Sequence, residues 1–338
     1  MLVRPRVLSI ITTRQCTAAC DHCCVGASPK ATTKIPVPRV HALIDEATRI
    51  PSFERVVFTG GECFLLGDDL DALVRHAAGN GFRTRVMTNG YWAVNERAAQ
   101  RRTCTLRENG LDEMMLSTGT FHQRFVPVTR VIDAARAAAE VGILTRISIE
   151  ECDQSAFDDT ILRAEIADLV AARKVFLSRD AWITDAGGRG ATDLSHERLL
   201  SGSAIDAEGS CAQVLTVITV TPDQELLSCC GFPMEQLPRL RIGTVANQSL
   251  DDVLRFAPNE LMKMWLHVAG PSGIAEFVAK HIPGYTLPAS PSICQSCVAL
   301  QRDRRAMRVI VDHADDILQS VASAFIELHG GMEHLRAF

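Results

Sequence analysis

The feature that most constrains the fold is a regular alternation of short apolar stretches and longer amphipathic stretches between residues 5 and 180. We predict that the apolar stretches form strands at 6–12, 55–60, 83–88, 113–118, 145–150 and 174–179. We predict that the amphipathic stretches form helices near 38–50, 68–80, 94–103, 128–141 and 159–172. Six β-α units in series predict an α/β fold with a parallel sheet wrapped by helices, whose ligands bind at the carboxyl ends of the strands.

Three cysteines follow the first predicted strand in the pattern Cys-x3-Cys-x2-Cys, at Cys16, Cys20 and Cys23. Three thiolates on one loop can ligate three irons of a four-iron cluster and leave the fourth iron open to substrate, whereas a cluster that only carries electrons normally has four cysteines. The alternative is a zinc site whose fourth ligand is His22 or Cys24. The spacing favours the open cluster.

The composition indicates a globular chain without general affinity for nucleic acid or membrane. Of 338 residues, 47% are hydrophobic, and the formal charge is −5, so we expect neither partner. No apolar run approaches the ~20 residues that a membrane span needs. Twelve cysteines without a secretory pattern indicate a reducing compartment, and the cytoplasm is the expected location.

The residues around the cysteine loop resemble the radical S-adenosylmethionine (radical SAM) superfamily. His22 stands where the family favours an aromatic residue, directly before the third cysteine. The other matching motifs, each at the end of a predicted strand, are Thr59-Gly60-Gly61-Glu62 and Thr88-Asn89-Gly90. The resemblance covers roughly residues 5–200 and implies a partial (β/α)6 TIM-like barrel.

The resemblance also implies the chemistry of the site. Cys16, Cys20 and Cys23 would ligate a [4Fe-4S] cluster whose open iron binds SAM. Gly60, Gly61 and Glu62 would hold the methionine end of SAM, with Asn89 as a further contact. One electron, from a donor such as flavodoxin or ferredoxin, would cleave SAM to a 5′-deoxyadenosyl radical that abstracts a substrate hydrogen atom.

Polar residues on two predicted strands are further candidates for the SAM pocket. The period of two places Arg146, Ser148 and Glu150 on one face of the fifth strand. We expect Arg146 near the carboxylate of SAM and Ser148 near its ribose, unless both are core groups satisfied by backbone. Ser117, which closes the fourth strand, is a candidate of the same kind. His122 follows it and is expected to border the pocket.

A second set of cysteines lies after residue 206. Cys211 and Cys229 flank a hairpin-like segment, and Cys294 and Cys297 follow much later. Two distant pairs that converge on one site form a four-thiolate centre, with a zinc ribbon as the alternative. The set resembles the twitch extension, a short relative of the SPASM domain, which implies one auxiliary [4Fe-4S] cluster. Gln224 stands where the family usually has glycine, so we expect a differently built turn.

The domain prediction has three parts: a radical SAM barrel at 1–205, a twitch/SPASM-like domain with a β-hairpin and a helix at 206–300, and C-terminal helices at 301–338. Most of the remaining cysteines are expected to be core residues. Cys230, Cys152 and Cys63 are also candidate hydrogen-atom donors, because they lie next to a predicted ligand or near the predicted active edge.

Substrate identity is open between two kinds of molecule. We favour a ribosomally synthesised peptide, modified by crosslink formation or epimerisation, because most relatives with this extension act on peptides. The alternative is a small-molecule dehydrogenase or decarboxylase of antibiotic or sugar metabolism, which fits the short extension and a chain that starts at the first strand. A separate peptide-recognition protein would reconcile that start with a peptide substrate. A non-enzymatic iron–sulfur or zinc scaffold is disfavoured by Glu62 and the open spacing.

Overall fold

The structure is a computed structural model that describes residues 4–151, 157–181, 209–230, 234–255, 261–288, 290 and 292–328. The candidate donor Cys152 and the predicted boundary near 205 lie outside the described residues. None of the helices in these ranges combines the length and apolar character that crossing a membrane demands.

Nine strands in the described ranges form one sheet in the order β6-β5-β4-β3-β2-β1-β7-β8-β9. The strands are β1 (Val7–Ile11), β2 (Arg55–Thr59), β3 (Arg83–Thr88), β4 (Glu113–Gly119), β5 (Leu144–Glu151), β6 (Val175–Ala181), β7 (Val217–Val220), β8 (Glu225–Leu227) and β9 (Arg241–Thr244). Neighbours from β6 to β7 are parallel, whereas β8 and β9 continue the sheet antiparallel.

The helices cover the barrel strands and then form the C-terminal part. Those of the barrel are α1 (Val37–Thr48), α2 (Asp68–Gly79), α3 (Glu96–Glu108), α4 (Val128–Glu140), α5 (Thr160–Glu165) and α6 (Ala167–Ala171). Those that follow are α7 (Leu250–Arg255), α8 (Leu261–His281, kinked at Gly270), α9 (Ile293–Arg302), α10 (Arg304–Asp312) and α11 (Ala314–Leu328). The predicted fold class is confirmed. The single helix expected at 159–172 is two short helices that meet at Ile166.

Alternation along each barrel strand separates a helix-facing side from an inner side. Leu8, Phe58, Val86 and Ile147 are fully buried in the core that the sheet shares with the helices. Their sequence neighbours point to the opposite face, toward the interior of the partial barrel. This inner face carries the polar residues that the sequence singled out, because only the outer face is needed for packing against helices.

A second core belongs to the C-terminal part. Trp265, Ile274, Val298 and Phe325 share it with Leu227 of β8. Helices α10 and α11 therefore pack with the residues before 300 in one hydrophobic core, and the predicted boundary at 300 does not separate two cores.

The turn between β7 and β8 keeps the backbone conformation that glycine favours. Gln224 has φ 63°, in the left-handed region. Its backbone N–H donates to Thr221 O at 2.9 Å, and its carbonyl accepts from Val245 N at 2.8 Å. The replacement of glycine by glutamine therefore leaves a tight, hydrogen-bonded turn in place.

Candidate active site

The cysteine loop after β1 holds its thiols close to backbone donors. Cys16 and Cys20 are buried, and Cys23 is half-buried. The N–H of Ala18 donates to Cys16 Sγ at 3.4 Å, and the N–H of Ala27 donates to Cys23 Sγ at 3.3 Å. Hydrogen bonds of this kind to cysteine sulfur tune iron–sulfur clusters. Burial raises the pKa of the Cys16 thiol to about 11, so ligation at neutral pH requires release of its proton.

The three thiols are too widely spaced to ligate one small ion. Among the residues that the structure describes, only His22, His122 and Glu150 bring three potential ligand atoms within 4.8 Å of one another. Tetrahedral zinc with bonds of about 2.3 Å would hold sulfurs about 3.8 Å apart. A four-iron cluster has thiolates that are farther apart, so the loop fits the cluster better than the zinc alternative.

The Gly60-Gly61-Glu62 segment at the end of β2 lies directly against the cysteine loop. The N–H of Gly61 donates to Thr13 O at 2.6 Å, and the N–H of Glu62 donates to Gln15 O at 2.9 Å. A Cβ atom on Gly61 would lie 2.3 Å from Gln15 O. The glycine is needed because a side chain there would push the end of β2 away from the loop.

Glu62 is fully buried beside this contact. Its carboxylate accepts from Phe64 N at 3.1 Å and from Asn89 N at 2.9 Å. Burial raises the pKa of Glu62 to about 7 despite these hydrogen bonds. The Asn89 amide donates to Thr17 Oγ1 at 3.1 Å and lies 3.7 Å from Cys16 Sγ. The two motifs and the cysteine loop thus form one connected polar site.

The serines predicted for the pocket lie in one row across the inner face. Ser117 of β4 is paired in register with Ser148 of β5, and Ser148 is paired with Ser178 of β6. The sequence prediction missed Ser178, although the period of two on the sixth predicted strand contained that signal. Arg146 lies two residues nearer the amino end of β5, is exposed, and is level with Met115 rather than with the serines.

Glu150 and His122 form a dyad that the sequence did not predict. Glu150 is 1% exposed and accepts from Phe121 N at 2.7 Å and from His122 Nδ1 at 2.9 Å. The loop can fold over this carboxylate only because residue 119 is glycine, where a Cβ would lie 2.0 Å from Glu150 Oε2. The His122 ring centroid is 5.0 Å from that of His22 in the cysteine loop. His122 therefore lies beside the cysteine loop, and its place at the border of the SAM pocket stays a prediction.

The auxiliary cysteines gather at the other end of the chain. Cys211, Cys294 and Cys297 are half-buried. Burial raises the pKa of Cys294 well above its usual range, and the nearby Cys211 and Cys297 raise it further. Burial also raises the pKa of Cys297 to about 12. These influences place Cys211 near Cys294 and Cys297 and also involve Cys230, whereas the part of Cys229 in a four-thiolate centre stays a prediction.

The adjacent cysteines at the end of β8 have different surroundings. Cys229 is 5% exposed and belongs to the C-terminal core. Cys230 is exposed as a residue, and its thiol donates to Gln213 Oε1 at 3.5 Å. Burial of the sulfur and the neighbouring Cys211 raise the pKa of Cys230 to about 11, while Arg85 acts in the opposite direction. The thiol of Cys230 therefore interacts electrostatically with Cys211 and Cys294, and the choice between Cys229 and Cys230 as the fourth auxiliary ligand stays a prediction.

Cys63, the third candidate hydrogen donor, lies in the barrel core. It is fully buried, and its thiol donates to Met87 O at 3.3 Å. Burial raises the pKa of Cys63 well above its usual range. These contacts describe a core cysteine.

The fold and the site together define a class of protein. A partial barrel, a three-cysteine loop and a buried glutamate at the carboxyl edge of the sheet are the features of iron–sulfur enzymes that bind SAM. Residues 10–149 match the profile of the Radical SAM superfamily. The chain therefore contains a radical SAM domain, which makes it an enzyme that uses SAM and a [4Fe-4S] cluster, and a C-terminal extension follows this domain.

Three relatives extend over most of the chain. YydG of Bacillus subtilis (strain 168), whose name assigns it to peptide biosynthesis, is 21% identical over 301 residues, which are 87% of this chain and 92% of YydG. Streptococcus suis SuiB bound to precursor peptide SuiA has a TM-score of 0.58 at 15% identity, over 86% of this chain and 76% of SuiB. The anSMEcpe structure with AdoMet and Cp18Cys peptide has a TM-score of 0.51 at 15% identity, over 93% of this chain and 99% of that one.

These comparisons confirm the predicted family, the enzymatic character and the barrel with its extension. The two structural likenesses, both at 15% identity, support the fold alone. The roles of individual cysteines and SAM contacts stay predictions, as do the auxiliary cluster and the domain bounds.

Proposed function

We propose that this enzyme modifies a peptide by radical chemistry at the carboxyl edge of the barrel strands. The observation that carries the proposal is the connected site in which the cysteine loop, Glu62 and Asn89 bond to one another. The peptide substrate is supported by the relatives, because YydG is named for peptide biosynthesis and SuiB and anSMEcpe were solved with peptides.

The residues present fit the cluster and SAM. Cys16, Cys20 and Cys23 would ligate the cluster, while the Glu62 carboxylate would hold the ammonium group of SAM. Ser117 and Ser148, which lie in one row, would offer hydroxyl groups to the polar atoms of SAM. When bound, the cluster and SAM supply a 5′-deoxyadenosyl radical that removes a hydrogen atom from carbon.

An auxiliary cluster in the extension would be held by four thiolates. Its proposed ligands are Cys211, Cys229, Cys294 and Cys297. The barrel at 1–205 would then bind SAM, and the extension that begins near 206 would face the substrate from the other side. An external one-electron donor protein completes the system.

Cys230 is the proposed hydrogen-atom donor in a peptide epimerisation. Unlike Cys63, which lies in the barrel core, Cys230 is exposed as a residue and its thiol donates to Gln213 Oε1. After hydrogen is removed from an α-carbon on one face, the Cys230 S–H bond would break and its hydrogen atom would bond to the carbon on the opposite face. One electron from the donor protein and one proton from solvent would restore the thiol.

A reaction in D2O tests this function and separates it from crosslinking. Epimerisation through an exchangeable thiol predicts one deuterium bound to carbon in the product, whereas crosslinking removes two hydrogens and adds none. Cys230→Ser should keep forming 5′-deoxyadenosine while losing the epimerised product. Cys104→Ser, an exposed cysteine on α3, is the matched control. A Cys230→Ser enzyme that still epimerises the peptide would contradict the assignment.

A further inference from the structure

The inner face of strands β2 to β5 carries an excess of positive charge that SAM binding does not explain. By the period of two, the charged side chains described on the inner face of β2 to β5 are Arg55, Arg83, Arg85, Arg146, Glu113 and Glu150. This face thus carries four arginines and two glutamates, although the formal net charge of the chain is −5. The excess is local and does not reflect a generally basic protein.

The two glutamates do not neutralise this group. Glu150 is bonded to His122 at the carboxyl edge of the sheet. Glu113 is shared by two arginines, with Arg85 Nε at 2.6 Å and Arg55 Nη2 at 3.0 Å. Within the described ranges, Arg146 makes no ion pair and is exposed. Arg83 is also exposed and likewise makes no ion pair within those ranges, so two cationic side chains, Arg83 and Arg146, are available on this face.

Arg146 is surrounded by exposed apolar surface on the same face. Phe176 is directly paired with Arg146 on the neighbouring strand and is 43% exposed. Leu144, two residues earlier on β5, is 47% exposed. Large apolar side chains exposed inside a barrel, next to an arginine, suit an amphipathic ligand that carries a carboxylate.

Arg146 lies nearer the amino ends of the strands than the proposed SAM site does. It lies four residues from Glu150, which at about 3.3 Å per residue places their backbones about 13 Å apart along β5. Glu150 is on the side of the cysteine loop, through His122 and His22. Arg146 is instead on the side of the Arg85–Glu113 pair, because Glu113 is paired in register with Leu144, two residues before Arg146. The sequence gives the face of Arg146 and its spacing from Glu150, but not its pairing with Met115 and Phe176.

We propose that Arg146, supported by Arg85, binds a carboxylate of the peptide substrate and holds it in the barrel interior next to Phe176. The enzyme would therefore select acidic peptides. This inference rests on the proposed peptide function, and it replaces the expectation that Arg146 binds the carboxylate of SAM.

Peptide pools of matched composition test the preference on the reconstituted, SAM-bound enzyme. One fluorescein-labelled pool contains Asp and Glu at its variable positions, a second has Asn and Gln instead, and both are amidated at the C-terminus. A third pool is the Asn/Gln pool with a free C-terminus. Fluorescence anisotropy should show about tenfold tighter binding of the acidic pool or of the free-carboxylate pool than of the amidated neutral pool, and the pool preferred identifies the source of the carboxylate.

Two variants tie the preference to this residue. Arg146→Gln should abolish the preference, whereas Arg101→Gln, the same charge change on an exposed position of α3, should retain it. Equal binding of all pools, or a preference that survives Arg146→Gln, would overturn the inference about Arg146 and leave the proposed peptide function standing. So would an Arg146→Gln enzyme that loses SAM affinity yet keeps the preference. Binding of no pool at all, while 5′-deoxyadenosine is still formed, would instead contradict the peptide function.

Discussion

At the scale of single residues, the site depends on two glycines, Gly61 and Gly119, whose missing side chains let neighbouring groups come close. The sequence identified the cysteines, Glu62 and Ser148 as candidate site residues because each belongs to a motif or to an alternating strand. It could not predict the Glu150–His122 dyad, which exists only because the ends of β4 and β5 meet in space. The one local signal was Gly119, whose missing side chain leaves room for the carboxylate.

Gly61→Ala should disturb the cysteine loop. The new Cβ would be 2.3 Å from a backbone oxygen that has no flexible side chain to move aside, so we expect a loss of stability of at least about 2 kcal/mol. Thermal unfolding and iron content after reconstitution measure both effects. Gly79→Ala is the control, because a Cβ there meets nothing within 4 Å. Equal iron content and melting temperature in the two variants would contradict the close contact.

Glu62→Gln should weaken SAM binding by about tenfold or more, because the variant loses a charged partner for the ammonium group of SAM. Equilibrium binding of SAM to the reconstituted enzyme measures the change. Glu46→Gln is a matched control, since Glu46 is also buried and accepts from a backbone N–H, that of Leu250 at 2.6 Å. SAM affinity lowered equally in both variants would indicate a general loss of stability and remove the assigned role of Glu62.

At the scale of elements, the predicted strands were found within two residues of their observed ends, because apolar runs bounded by turns are local signals. Register between strands was not predictable. The row of Ser117, Ser148 and Ser178 and the pairing of Arg146 with Phe176 depend on register, which alternation alone does not specify.

Gln224→Gly should be tolerated and slightly stabilising. A non-glycine residue in the left-handed region costs about 1–2 kcal/mol, and glycine loses about 0.5–1 kcal/mol of that gain through its greater freedom in the unfolded chain. Chemical denaturation measures the difference. Gln224→Val, with a branched side chain at φ 63°, should be less stable than the parent. A Val variant as stable as the Gly variant would contradict the left-handed turn.

At the scale of the whole molecule, the chain joins two hydrophobic cores through one sheet. The barrel core and the C-terminal core meet along β1, β7 and β8. The sequence predicted a barrel and an extension from their separate motifs. It did not predict that the terminal helices share the core of the extension, because apolar periodicity shows that a helix has a buried face but not which partner covers it.

The central claim is that the cysteine loop near the amino terminus holds the cluster that cleaves SAM, separately from the auxiliary thiols. The most direct test is the amount of 5′-deoxyadenosine formed by reduced, anaerobically reconstituted enzyme, compared with Cys16→Ala and Cys294→Ala. We predict no cleavage by Cys16→Ala, and residual cleavage by Cys294→Ala with iron reduced from about eight to about four atoms per chain. Cleavage of SAM by Cys16→Ala at the rate of the parent enzyme would contradict the account.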